Sequence, residues 1–411
     1  MKRDKNRSVI LGTFLQFALC LFLTCLFLPA DVSAQDWRFE PIVSVGGEFD
    51  DNATLDIRTD EEVSLEGFLA DLRADIYYDS PKSTLSLKPR VLLRNYSDQP
   101  EFDSDDVFVR ADYRFQGISN QFGFWANYDR ESVRTAERTD SDLEIEDPDE
   151  IPDDDSGRTL RIGTREIGRL APYWRYNLSE KTAIGADLSY VEARYEEVFG
   201  NLLNDYTDIR ANLNFRRKFS NVTTGLITLT GRSYELKETS SETTGTGALV
   251  GLEHRLSEKT WISGMVGLED IDQEQGQLDP EIVGFATLRQ NLKTIRMFAT
   301  YRRSISPSGL GRLSKRDSVN LNFRRRLTER IVAGLGVRAY QSKGTTEAAE
   351  IDDRTYVQLQ ASFLWYLTTA FAIETSYRYT VVDRSETFGE RSNSNRLNLW
   401  FTYQPRTIPD I

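Results

Sequence analysis

Arginine recurs in this chain at even spacings, often beside acids. Arg110, Asp112 and Arg114 stand two apart, as do Arg324 and Arg326, while Arg90 and Arg94, like Arg165 and Arg169, stand four apart. On an extended backbone such residues share one face. A guanidinium is a planar fork of donors that grips a carboxylate or phosphate through two hydrogen bonds. Several forks along one wall would favour the passage of anions. The structural alternative is that basic and acidic side chains on adjacent strands neutralise each other.

Other chemistry is sparse. The one histidine, His254, shares strand parity with Ala248, Val250 and Leu252. It therefore belongs on an apolar face, away from any Ser–His or Asp–His constellation, and no enzymatic activity is expected. Both cysteines, Cys20 and Cys25, lie in an N-terminal apolar stretch, so no thiolate metal site is expected. No Gly-rich phosphate loop or zinc spacing stands out, and the expected cofactor is none. Asp140–Asp155 carries ten acids and no Lys or Arg, among them Asp140, Asp142, Glu144, Asp153, Asp154 and Asp155. Its spacing misses the Ca²⁺-loop pattern of alternate oxygens, a central Gly and a distal Glu. It reads as a solvated loop, with cation binding or an electrostatic gate as the functional alternatives. A net charge of −13 disfavours a generic nucleic-acid binder.

The elements that must position these arginines have period two. In Thr207–Lys218, Thr207, Ile209, Ala211, Leu213 and Phe215 point one way, and Asp208, Arg210, Asn212, Asn214 and Arg216 the other. Eighteen such segments are predicted, at 37–49, 64–78, 83–96, 106–116, 121–133, 159–177, 182–195, 206–218, 221–235, 244–256, 260–270, 281–290, 294–304, 316–327, 330–341, 354–366, 369–382 and 394–404. Their connections alternate strictly between short and long. The short ones resemble each other, as in Leu178-Ser179-Glu180-Lys181-Thr182 and Leu256-Ser257-Glu258-Lys259-Thr260. Short turns at one end and long loops at the other are the layout of a transmembrane barrel. A soluble sandwich or propeller has no reason for strict alternation. Trp37, Tyr113, Tyr128, Trp174, Tyr176, Trp365 and Tyr403 fall near the ends of the apolar rows, as interfacial girdles would.

The N-terminus reads as a targeting segment. Lys2, Arg3, Lys5 and Arg7 precede the apolar run Val9–Leu28, and Val32-Ser33-Ala34 supplies small residues for cleavage before Gln35. Residues 1–34 are expected to be a signal peptide and 35–411 one all-β antiparallel barrel of about eighteen strands, or sixteen.

Phe49-Asp50-Asp51-Asn52-Ala53 follows the first strand directly, and the third strand carries a central proline, Leu87-Lys88-Pro89-Arg90-Val91, before Asn95-Tyr96-Ser97. In these residues, and in its layout, the chain resembles the β-barrel porin type 2 family of Gram-negative outer membranes. The resemblance implies an outer-membrane location, a transport role and an association with exopolysaccharide assembly. One departure concerns the C-terminus: Phe401-Thr402-Tyr403 is followed by Gln404–Ile411, so the aromatic assembly signal is expected to be internal or atypical.

By strand parity the inward basic residues are Arg90, Arg94, Arg110, Arg114, Arg165, Arg169, Arg210, Arg216, Arg296, Arg302, Arg324, Arg326, Arg338, Arg378 and Arg396, with Arg73, Lys88, Arg161, Arg175 and Arg255. They outnumber the inward acids Asp71, Asp75, Asp112, Asp129, Asp187, Asp208, Glu253, Glu269 and Glu374. The expectation is a channel whose lumen favours small anions or an acidic polysaccharide, surrounded by outer-membrane lipid. An export role would need a separate periplasmic partner. The competing expectation is a non-conducting surface barrel that binds a partner through its acidic loops.

Overall fold

The computed structural model describes residues 37–55, 62–136, 163–196, 203–237, 242–273, 276–277, 280–309, 312–344, 353–384 and 391–405. The targeting segment, the acidic run at 140–155 and Arg161 lie outside them. Eighteen strands form one closed antiparallel barrel. They are β1 (Trp37–Asp50), β2 (Leu65–Asp79), β3 (Ser83–Asn95), β4 (Ser104–Gln116), β5 (Asn120–Ser132), β6 (Thr164–Asn177), β7 (Thr182–Glu196), β8 (Tyr206–Lys218), β9 (Thr223–Leu236), β10 (Glu242–Ser257), β11 (Thr260–Gln273), β12 (Glu281–Asn291), β13 (Ile295–Ser308), β14 (Arg312–Thr328), β15 (Ile331–Gly344), β16 (Arg354–Tyr366), β17 (Phe371–Asp383) and β18 (Arg391–Tyr403). A two-residue piece, Gly276–Gln277, pairs with the end of β11. Each strand pairs with its chain neighbours, and β1 pairs with β18 from Val43↔Tyr403 to Asp50↔Arg396.

All eighteen predicted segments are strands. The sixth is a strand from Thr164, and positions 159–162 of its predicted span lie outside the described residues. The β13–β14 hairpin runs on to Ser308 and from Arg312, past its predicted bounds of 304 and 316.

The pleat sorts the side chains. One outer row crosses seven strands through Ile76, Leu87, Ala111, Ala126, Leu170, Tyr190 and Ile209. Large apolar residues such as Leu213, Val250, Leu335 and Leu399 are exposed on that face. Closure leaves no unpaired edge, so the backbone satisfies itself without water and the apolar surface can face hydrocarbon. Near the end with short turns, aromatic rings pair on the outside: Trp37 with Tyr78 at 5.0 Å, Phe115 with Phe122 at 4.8 Å and Phe371 with Tyr403 at 5.1 Å.

The likeness among the short turns has a local cause. In most of them, a Ser or Thr hydroxyl accepts from backbone N–H groups two or three residues on. Ser179 takes Lys181 and Thr182, Ser220 takes Val222 and Thr223, and Thr368 takes Ala370 and Phe371. Ser257 and Thr328 do the same with Lys259 and Arg330. The hydroxyl replaces a missing ladder partner and lets the chain reverse in very few residues.

Most of the buried apolar residues lie inside the barrel, at the end where the connections are long. Three clusters form there. Ile305 and Leu313 pack with Ile167, Ala193, Tyr206, Tyr234, Ile271 and Val283. Ala53, Leu65, Tyr96 and Phe102 make the second cluster. Leu55, Tyr340, Tyr356 and Val382 make the third. Leu55 holds a left-handed backbone with φ of 49°. That conformation is costly for a branched side chain, and burial of the Leu55 side chain between two tyrosines offsets it.

Candidate functional site: the lumen

Eight short connections join the strands at the turn end, whereas at the loop end three segments pack inward. The first is the tip of the β13–β14 hairpin. The Ile305 carbonyl accepts hydrogen bonds from Arg210 at 2.8 Å and Arg232 at 2.7 Å, five and four strands away along the wall. Arg232 is buried and ion-paired to Asp208 at 2.6 Å, with Glu269 at 3.8 Å. The Gly309 carbonyl accepts from the Asn204 backbone at 2.7 Å. Gly309 itself lies under the Tyr195 ring, where a Cβ would collide with the hydroxyl. Gly309→Leu is therefore expected to lower stability by ~1–3 kcal/mol through overpacking, read as a shift of the urea midpoint of the refolded protein.

The second segment is the start of the β5–β6 connection, the helical turn Val133–Ala136. Arg134 is 2% exposed. It donates to the Tyr96 hydroxyl at 2.9 Å, and its guanidinium stands 5.5 Å from that ring and 6.0 Å from Phe102. Tyr96 in turn donates to Glu48 at 2.7 Å. Burial pushes the Tyr96 phenol up to about 12, so the hydroxyl keeps the proton it donates. Arg94 is ion-paired with Asp106 beside it.

The third segment is the residues after β1. Asp50, Asp51 and Asn52 reach across to the last strand. Arg396 grips Asp50 at 2.9 Å, Ser394 donates to Asp50 at 2.7 Å and Asn395 donates to Asp51 at 2.7 Å. Asn52 donates to the Asn393 carbonyl at 3.1 Å. The Asp50-Asp51-Asn52 run is thus a polar clasp across the seam where the barrel closes.

The predicted lumen residues divide by height. At the loop end most arginines are buried and partnered. Arg165 meets Glu131 at 3.1 Å, Arg169 meets Asp129 at 3.2 Å and Arg90 meets Asp71 at 3.0 Å. Arg378 donates to Gln360, and Arg338 is 3% exposed. Neutralisation between strands, the structural alternative, holds for this half. Toward the turn end the wall is wetter. Arg110 and Arg114 are exposed, and Arg175, Arg216, Arg296, Arg302, Arg324 and Arg326 are half-buried. Arg114, Arg175 and Arg216 are close enough to feel one another's charge, and Arg216 also pairs with Glu253.

No protein-family model matches the chain, and no curated protein sequence does. Solved barrels do. The outer membrane channel DcaP of Acinetobacter baumannii matches with a TM-score of 0.44 and 11% identity, over 92% of this chain and 100% of that one. A BenF-like porin from Pseudomonas fluorescens Pf-5 matches with a TM-score of 0.45 and 8% identity, over 89% and 99%. The outer membrane protein opdK from Pseudomonas aeruginosa matches with a TM-score of 0.41 and 11% identity, over 90% and 99%. Likeness this distant carries no inference about what this chain does. Membership of the β-barrel porin type 2 family, which the Asp50-Asp51-Asn52 run suggested, is not shown by any family match.

His254 lies on the outer face, where its Nδ1 hydrogen-bonds with the Thr223 hydroxyl at 2.9 Å, as its parity predicted. Sequence reading missed several lumen arginines: Arg232, Arg289, Arg316 and Arg354. Arg232 stands opposite Arg210 in the ladder, on a β9 whose inner face is mostly Thr, Leu and Tyr. Apolar residues on an inner face hide the period-two signal. Tracing parity across the ladder from β8 would have found it.

Proposed function

We propose that the chain is an outer-membrane, porin-like channel of a Gram-negative bacterium, with the short turns in the periplasm and a lumen biased to anionic solutes. The observation that carries this reading is the division of the wall by height. A closed barrel with an apolar exterior holds exposed and half-buried arginines on its inner face near the turn end, where Arg110, Arg114, Arg175 and Arg216 lie on neighbouring even-numbered strands. Side chains of one sign on a wet wall raise the local concentration of the opposite ion. The folded-in β13–β14 tip narrows the path at the other end, so solutes pass beside it. Small anions and the chain ends of an acidic polysaccharide both fit a basic wall, and export of a polymer would require a separate periplasmic partner.

Refolded protein in a planar bilayer is expected to conduct, with a reversal potential of the sign set by anions under a salt gradient. Cation selectivity overturns the reading. A second reading, a closed barrel that binds a partner through its acidic loop, is favoured by the packing of three segments at the loop end. A folded barrel that stays silent selects it.

A further inference from the structure

We infer that the inner wall of β11, β12 and β13 holds a binding site for an aromatic carboxylate. Three ladder rows meet there. The lower row sets Trp261 beside Arg289 and Arg289 beside Phe298. The upper row sets Met265 beside Phe285 and Phe285 beside Arg302. Between them Ser263 stands beside Thr287, flanked by Glu253, which is paired with Arg216, and Thr287 and Thr300 hydrogen-bond to each other at 3.2 Å, so these two hydroxyls are already engaged. The Arg289 guanidinium stands 5.5 Å from the centre of the Trp261 ring. On the next strand Gly251 faces Met265 without a side chain. The Met265 side chain lies 2.5 Å from where a Cβ would stand, so the sulfur-bearing chain covers the gap.

This is an unusual surface for an aqueous lumen. Rings and a thioether alternate with cations, and few uncommitted hydrogen-bonding groups lie between them. A ligand with many hydroxyls would leave them unpartnered over the rings, which costs affinity. A flat apolar body carrying one anion loses nothing there. Its ring stacks on Phe285, its edge touches the Met265 sulfur, and its carboxylate takes the fork of Arg302 in the same row or of Arg289, which Trp261 backs from below. The site lies below the β13–β14 tip, whose Ile305 packs on Val283 two residues above Phe285 on the same face of β12. A solute passing the tip meets the patch next.

The inference rests on the channel reading only for its physiological sense, so the test does not depend on conduction. Titration calorimetry of the refolded barrel in detergent compares benzoate with acetate, cyclohexanecarboxylate and glucuronate. Benzoate is expected to bind best. Arg289→Gln should weaken it about tenfold, the loss of one charge-assisted contact. Phe285→Leu should weaken benzoate and leave acetate unchanged. Arg110→Gln, on the far wall, should leave benzoate binding as it was. Benzoate binding no tighter than acetate overturns the site, and that comparison needs no variant to fold. Equal loss in the Arg110 and Arg289 variants also overturns it, because the attraction would then be a general field. A silent bilayer with intact benzoate binding would remove the channel reading and leave the site standing.

Discussion

Reversing three arginines near the turn end, as Arg110→Glu, Arg114→Glu and Arg216→Glu together, is expected to turn an anion-selective barrel into a cation-selective one. The magnitude follows from Coulomb's law. A unit charge about 8 Å from a passing ion in water contributes ~0.5 kcal/mol, and reversal doubles this to ~1 kcal/mol per site. Each site is then worth roughly fivefold in the local ion ratio. Three of them outweigh the bias of a wall that also carries acids such as Asp112 and Asp187. The reversal potential under a salt gradient reads the sign directly. Added salt supplies an internal control: near 1 M the Debye length falls to about 3 Å, and wild type and variant should converge. Folding is little affected, since Arg110 and Arg114 are exposed with no ion pair of theirs among the described residues, and the Arg216–Glu253 pair is partly exposed on both sides. A triple variant with unchanged selectivity would mean that the current does not pass this wall.

Arg396→Ala is expected to be the most destabilising single change in the barrel. Arg396 and Asp50 are both buried, with side-chain exposures of 5% and 0%, and Glu48 stands 3.8 Å away. Removing the guanidinium leaves Glu48 and Asp50 to share the more distant Arg134, at 3.9 and 4.0 Å, in a dry setting. Breaking one half of a buried pair typically costs ~3–5 kcal/mol. Urea unfolding of the refolded protein, or the temperature at which the folded band disappears on a gel, measures the loss. Arg396→Ala combined with Asp50→Asn should recover part of it, because the double change removes one stranded charge as well as its partner. Recovery distinguishes an electrostatic clasp from a site that merely fills space.

Much of the barrel was legible because a pleated strand between lipid and water must alternate. The run from Asp208 to Arg216 shows that rule plainly. Where the rule is relaxed, reading failed. Val283 and Phe285 are apolar yet face inward, since a hairpin tip and a ring-lined wall replace water there, and they conceal Arg289 further along the same face. The folded-in segments were not legible either. Ile305 and Leu313 look like ordinary strand residues, and only the register shows that a part of the hairpin turns inward onto β6 to β12. The Asp50-Asp51-Asn52 run was visible as a mark of resemblance. Its work as a clasp depends on a partner strand at the far end of the chain, which local spacing cannot reveal.

That distance also orders events in time. Asp50 and Arg396 are 346 positions apart, and the hydrogen bonds from Asn395 to Asp51 span 344. Neighbouring strands can zip in succession, each closing a short loop, but this contact closes nearly the whole chain at once. Until β18 arrives, Asp50 lacks its nearer cation, Arg396, Asp51 lacks Asn395, and the β1 edge stays open. The clasp therefore completes late in assembly. A nascent barrel that lacks its final strand carries an acidic, unpaired edge, which discourages premature pairing with another apolar edge.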